Sequence, residues 1–143
     1  MAALIESYRG AVCAWECDFY GHLNVQFYVA RLSDAAASLL VALGLGPASP
    51  RGADLGFIAV NQTIDYKNEL LAGDLVVMKS GVAAVGKKSI TVFHKLINAE
   101  TGAISMTAQV TGVLMDLETR KAVPVPDDVR TKAERLMVQE IPA

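Results

Sequence analysis

Apolar residues recur at helical spacing between Val25 and Leu43, where Tyr28, Leu32, Ala35, Ala36, Leu39 and Leu43 line up before Gly44 and Gly46-Pro47 close the run. The run is apolar around much of its circumference, which predicts a long, buried central helix. Ahead of it, Ser7 to Glu16 mixes Tyr8, Val12, Cys13 and Trp15 in the pattern of a first strand. Behind it the period changes. Ala48 to Gly56, with Pro50, Gly52 and Gly56, reads as loop. Phe57 to Tyr66 then sets Ile58, Val60, Ile64 and Tyr66 against Asn61, Thr63 and Asp65, predicting a strand with one core face and one unusually polar face.

Three further strands are predicted, Leu75 to Val85, Lys88 to Ile97 and Ala103 to Asp116, separated by turns at Gly73-Asp74 and Gly86 and by a hairpin loop over Asn98 to Gly102. Leu117 to Lys121 reads as a turn, and Asp127 to Val138 as a short helix opened by Pro126 or Asp127. Tight turns join antiparallel neighbours, so the order strand, long helix, four strands implies an α+β fold with an antiparallel sheet wrapping one helix. The 143 residues are read as one domain, 1–143.

Composition narrows the partners. The chain is 52% hydrophobic and 20% charged, an apolar excess that a buried oligomer interface would absorb. A net charge of −2 gives no electrostatic basis for nucleic acid or an anionic membrane. Ala35 to Leu45 falls short of the ~20 residues of a membrane span. Met1 to Gly10, with Glu6 and Arg9, lacks the apolar core of a secretory signal, so a cytoplasmic location is expected. Cys13 and Cys17, four apart on one predicted strand, are expected as reduced thiols. With His22 they make three zinc ligands at most, His94 being distant in sequence, and no metal or other cofactor is expected.

The densest chemistry lies in Asp18-Phe19-Tyr20-Gly21-His22-Leu23-Asn24, followed by Tyr28. Gly21 suits a sharp turn and Asn24 an N-cap, which would set Asp18 beside the unpaired N–H groups of the helix start, a place for chemistry at a carbonyl. Together with Tyr66, Gly73-Asp74 and Gly86-Lys87-Lys88-Ser89, this segment resembles the hotdog-fold acyl-CoA thioesterases of the 4-hydroxybenzoyl-CoA thioesterase type, over roughly Tyr8 to Pro126.

The resemblance implies a hotdog fold, a homodimer with one continuous sheet, or a tetramer of paired dimers, and active sites at the dimer interface. It implies metal-free hydrolysis of an acyl-CoA, with Asp18 as nucleophile or general base and the Val25 backbone N–H holding the thioester oxygen. Lys87, Lys88 and Ser89 would meet the phosphates of coenzyme A. His22 would polarise the carbonyl, orient water, or hydrogen-bond across the loop. Asn24 is read as a cap or a direct contact, Tyr28 as core, interface or substrate wall, and Asn61 with Thr63 as facing either the acyl group or solvent. His94 is read as a core or interface histidine.

The pattern also departs from the family. Ser33, with Asp34 next to it, stands where many relatives carry an acidic residue, Arg31 follows the position where an arginine is expected, and Asn68-Glu69 replaces a proline-containing turn. These departures leave the acyl group open, and coenzyme A or a carrier protein's phosphopantetheine arm as the carrier. The alternatives are a hotdog 3-hydroxyacyl-thioester dehydratase or hydratase, although the prolines that flank the histidine there are absent around His22, and a non-catalytic acyl-thioester-binding protein.

Overall fold

The computed structural model describes residues 4–138. Strand β1 (Ile5–Ala11) leads through a 3-10 turn (Ala14–Glu16) and the Asp18 loop into helix α1 (Val25–Ala42). A short helix α2 (Pro50–Asp54) precedes β2 (Leu55–Tyr66), β3 (Leu75–Val85), β4 (Ser89–Asn98) and β5 (Ile104–Asp116), and α3 (Asp127–Arg135) follows. The five strands form one antiparallel sheet in the order β1-β3-β4-β5-β2. The α+β arrangement expected from the element order is the one observed. No helix among the described residues is long and apolar enough to cross a membrane.

Helix α1 packs one stripe onto the sheet. Tyr28, Leu32 and Ala35 meet Val76, Met78, Leu96 and Met106, while Leu39 and Leu43 meet Val82, Ile90, Val92 and Leu114 together with Val129 and Ala133 of α3. Each large side chain buried here stabilises the fold by roughly 1.5–3 kcal/mol. The rest of the circumference is less buried than the sequence pattern implies: Ala30, Ala37 and Val41 are exposed.

The first strand stops at Ala11, short of the predicted Glu16, because the Glu16 carboxylate accepts the Cys13 N–H at 2.8 Å and folds Ala14–Glu16 into a turn. Part of the predicted 48–56 loop is helix α2, with Pro50 in its first turn and Ser49 Oγ accepting the Gly52 N–H at 3.0 Å. Helix α3 ends at Arg135, before the predicted Val138, and the chain then pairs with the end of β3, Val82 N–H donating to Leu136 C=O at 2.9 Å.

Strand β2 differs most from its pattern. A bulge between Ala59 and Asn61 shifts its register against β5. A single extra residue reverses the alternation. Before the bulge Phe57 and Ala59 pair with Leu114 and Gly112; after it Gln62, Ile64 and Tyr66 pair with Val110, Ala108 and Met106. Those residues therefore share the helix-facing side, and Ile58 and Val60 do not, although the sequence places them with Ile64 and Tyr66. Ile58 and Val60 are exposed on an edge strand.

Two networks of buried polar side chains link elements of the core. Arg31 grips Glu16 with its two terminal guanidinium nitrogens, at 2.9 and 3.0 Å, donates to Ala11 C=O, and lies 5.7 Å from the Tyr8 ring centre. The guanidinium hydrogen bonds hold the Glu16 carboxyl below the usual carboxylate range. Because both charges are buried, removing either partner strands the other, at a cost of about 3–5 kcal/mol. The pair ties the end of β1 and the turn before the Asp18 loop to α1. His94, on β4, is fully buried, as expected, with Nδ1 2.6 Å from Ser80 Oγ, which lies 2.6 Å from Ser7 Oγ.

Candidate active site

The loop from Asp18 to Asn24 is closed by its own backbone. Asp18 N–H donates to His22 C=O at 3.0 Å, and Gly21 N–H to Asp18 C=O at 2.9 Å. Gly21 turns the chain at φ +84°, a conformation that costs any other L-residue roughly 1–2 kcal/mol. Leu23 N–H donates to Leu70 C=O at 2.8 Å and Asn24 N–H to Glu16 C=O at 3.0 Å, which pins the loop to the segment after β2 and to the 3-10 turn.

Asn24 uses both ends of its amide. Its Oδ1 accepts the Gln26 N–H at 3.1 Å, capping α1 as the sequence suggests, while its Nδ2 donates to Asp18 Oδ2 at 3.1 Å. Asp18 Oδ1 accepts the Tyr20 N–H at 3.0 Å. The carboxylate is thus fixed at the N-terminus of an 18-residue helix. Among the described residues the Val25 N–H, first of that helix, meets no acceptor. Such a free donor, with the partial positive charge of the helix end, suits an oxygen that is gaining negative charge.

His22 Nδ1 lies 3.2 Å from Glu69 Oε1 and Nε2 lies 3.8 Å from Asp18 Oδ1. His22, Val25 and Tyr28 line a cavity of about 340 Å³, closed on the other side by Tyr66, Lys67 and Glu69. The rings of Tyr28 and Tyr66 meet edge to face with centroids 5.0 Å apart. Burial pushes the Tyr28 phenol up, so it stays neutral.

Asp18, His22, Asn24, Val25 and Tyr28 are therefore brought together. Asn61 and the Lys87-Lys88-Ser89 group are not. Asn61 pairs with Thr111 after the bulge, on the sheet face away from α1. Lys87 and Lys88 occupy the β3–β4 hairpin, where Gly86 C=O accepts from Arg130. That hairpin lies at the far end of β3, whose first residue pairs with Ala11 next to the Asp18 loop. Eleven residues of strand put the two ends roughly 35 Å apart. Ser33 lines a second cavity of about 260 Å³ with Ala37, Phe57 and Gln62, between α1 and β2. Cys13 and Cys17 are free thiols. Among the described residues no cluster of three or more His, Cys, Asp and Glu is placed to hold a metal ion.

Glu69, Glu16 and Arg31 were not legible as parts of the site. Each acts across a long sequence separation, and only the departures at Arg31 and Asn68-Glu69 marked their positions.

An antiparallel sheet wrapped on a long helix, with a carboxylate held at that helix's N-terminus, defines a hotdog-fold protein. The chain belongs to the Thioesterase-like superfamily, whose profile matches residues 12–133. The enzyme class expected from the sequence, a thioester hydrolase, agrees with that membership. The chain is 26% identical over 84 residues to the long-chain acyl-CoA thioesterase FadM of Escherichia coli (strain K12). That match covers 59% of this chain and 64% of FadM, less than two thirds of the relative's length. Among solved structures, the probable thioesterase YbaW from Escherichia coli superposes with a TM-score of 0.76 at 24% identity, covering 92% of this chain and 98% of that one. The Staphylococcus aureus protein SAV2348, solved in complex with CoA, superposes at 0.85 with 18% identity, covering 100% and 92%.

Proposed function

We propose that the chain hydrolyses acyl-CoA thioesters, with Asp18 attacking the thioester carbon or activating water and the Val25 N–H holding the carbonyl oxygen. The observation that carries this reading is the pairing of a fixed carboxylate with an unpartnered N–H at one helix end, beside a cavity. As the carbonyl is attacked, its oxygen gains the charge that the Val25 N–H and the helix end stabilise, and one such donor is worth about 3 kcal/mol in the transition state. The thiolate of coenzyme A then leaves. A thiolate is a good leaving group, so the site needs no strong general acid. The Asn24 amide and the Tyr20 N–H hold Asp18 in one orientation, which serves a nucleophile or base that must meet a carbon or a water at a set angle.

The reading includes a homodimer, alone or paired into a tetramer. Strand β2 is a 12-residue edge with exposed apolar side chains, a template for pairing with a second copy. Antiparallel β2–β2 pairing would set the Tyr66 end of one protomer against the Leu55 end of the other. The β3–β4 hairpin belongs to that second end, since Leu55 pairs with Asp116 and Ser89 with nearby Val113. The partner's Lys87, Lys88 and Ser89 would then approach the Asp18 site and meet the phosphates of coenzyme A, which their own protomer cannot do.

Asp18→Asn is expected to keep the oligomer folded and to lower kcat by about two orders of magnitude or more, read by thiol release over a panel of short, long, branched, aromatic and charged acyl-CoAs. Full activity in that variant rejects the mechanism. The same panel on the wild type identifies the acyl group.

A further inference from the structure

Glu69 enters the site from the segment after β2, and Leu70, the next residue, anchors that segment by accepting the Leu23 N–H at 2.8 Å. The His22 imidazole consequently stands between two carboxylates, Nδ1 at 3.2 Å from Glu69 Oε1 and Nε2 at 3.8 Å from Asp18 Oδ1, on the wall of the 340 Å³ cavity. The other titratable groups facing it are Tyr20 from its own loop, Tyr28 from α1, and Tyr66 and Lys67 from the end of β2.

A carboxylate only accepts hydrogen bonds, so the contact with Glu69 requires the proton on Nδ1, which in the neutral ring leaves Nε2 with a lone pair. A lone pair does not bond to the Asp18 carboxylate, in keeping with the 3.8 Å gap. Nε2, 3.8 Å from Asp18 Oδ1, is thereby left free to accept the proton of a water that comes up to both groups. We propose that Glu69 is a positioning residue that holds His22 in the Nδ1–H form, so that Nε2 takes the proton of the attacking water.

In that step the water oxygen bonds to the acyl carbon and its O–H bond breaks, the proton passing to Nε2. Asp18 is the nucleophile in this route, its attack having already released the thiolate, and the electron pair of the broken acyl–oxygen bond of the acyl-Asp18 anhydride returns to the Asp18 carboxylate. The imidazolium, stabilised by Glu69, then returns its proton to solvent. Sequence alone could not show this contact, because 47 residues separate its partners.

The proposal rests on the hydrolase reading, and the test separates the two. Glu69 is 64% exposed, so its replacement leaves the core intact. Glu69→Ala is expected to lower kcat roughly ten-fold, part of the 10²–10⁴ that general acid–base catalysis supplies, with KM changed by no more than about two-fold. Glu69→Gln keeps an acceptor for the Nδ1 proton, so it should hold the Nδ1–H tautomer and retain more of kcat than Glu69→Ala does. Nitrogen-15 imidazole shifts of His22 should report the Nδ1–H tautomer in the wild type and its loss in Glu69→Ala. Unchanged kcat in Glu69→Ala, or an unchanged tautomer in that variant, overturns the proposal. A wild-type chain that releases no thiol from any acyl-CoA removes the hydrolase reading instead, and the imidazole shifts still decide the Glu69 contact.

Discussion

The Val25 N–H can be deleted without deleting the helix, because the first helical position tolerates proline. Asn24 already holds φ −75° and ψ 147°, the extended conformation that a residue before proline must adopt. Val25 is itself exposed, so little packing is lost. Val25→Pro is therefore expected to retain helicity and oligomer size while kcat falls roughly 10²-fold, the cost of one lost oxyanion donor. Wild-type kcat in this variant would exclude the N–H from the chemistry. At this scale the sequence was informative where the physics is local. Gly21 at a positive φ and Asn24 as a cap are decided by neighbours a few residues away, and both were readable. Asn24 holding Asp18 was not, since an amide that caps through its oxygen says nothing of where its NH2 points.

Between elements, the buried chain from His94 through Ser80 to Ser7 joins β4, β3 and β1. Each hydroxyl has one proton to give. With Ser7 donating to Met78 C=O at 3.3 Å, Ser80 donates to Ser7 and His94 Nδ1–H to Ser80. That direction leaves Nε2, which has no partner among the described residues, as a bare lone pair and not a stranded N–H. Burial depresses the His94 pKa from 6.5 to about 4. The folded state thus refuses a proton that the unfolded chain accepts below pH 6.5, and stability present above that pH is lost on the way down to about 4. The loss amounts to about 3 kcal/mol at most. Urea denaturation at fixed protein concentration should show this slope between pH 6.5 and 5, and His94→Gln should flatten it whatever its stability at neutral pH. A slope equal in both proteins would assign the acid sensitivity elsewhere. His94 was recognisable as a core residue from its register with Ile90, Val92 and Leu96. The Ser80 contact depends on the pairing of two strands, which no single strand pattern specifies. The same holds for Glu16 with Arg31, and for the β2 bulge, which shifts the core face of one strand by a single residue.

For the whole molecule, the decisive feature is the distance between the Asp18 loop and the β3–β4 hairpin, at opposite ends of β3. The order of elements was legible, because hydrophobic period and turn residues are local. Which ends lie close across a second copy was not, because that depends on symmetry. If β2 pairs with β2 of a second copy, each site combines Asp18 from one chain with Lys87 and Lys88 from the other. Asp18→Asn homodimers then lose both sites, and dimers of the double variant Lys87→Glu, Lys88→Glu lose both through weakened binding of the phosphates. A mixed dimer carries one site with both defects and one with neither. Co-expression of the two chains, assayed below KM, should recover about a quarter of wild-type activity: half the dimers are mixed and each of those has one intact site out of two. A site built within one chain leaves every site in the mixed dimer defective, so mixed dimers verified by mass that recover no activity would overturn the shared-site arrangement while leaving Asp18 and Val25 in their roles.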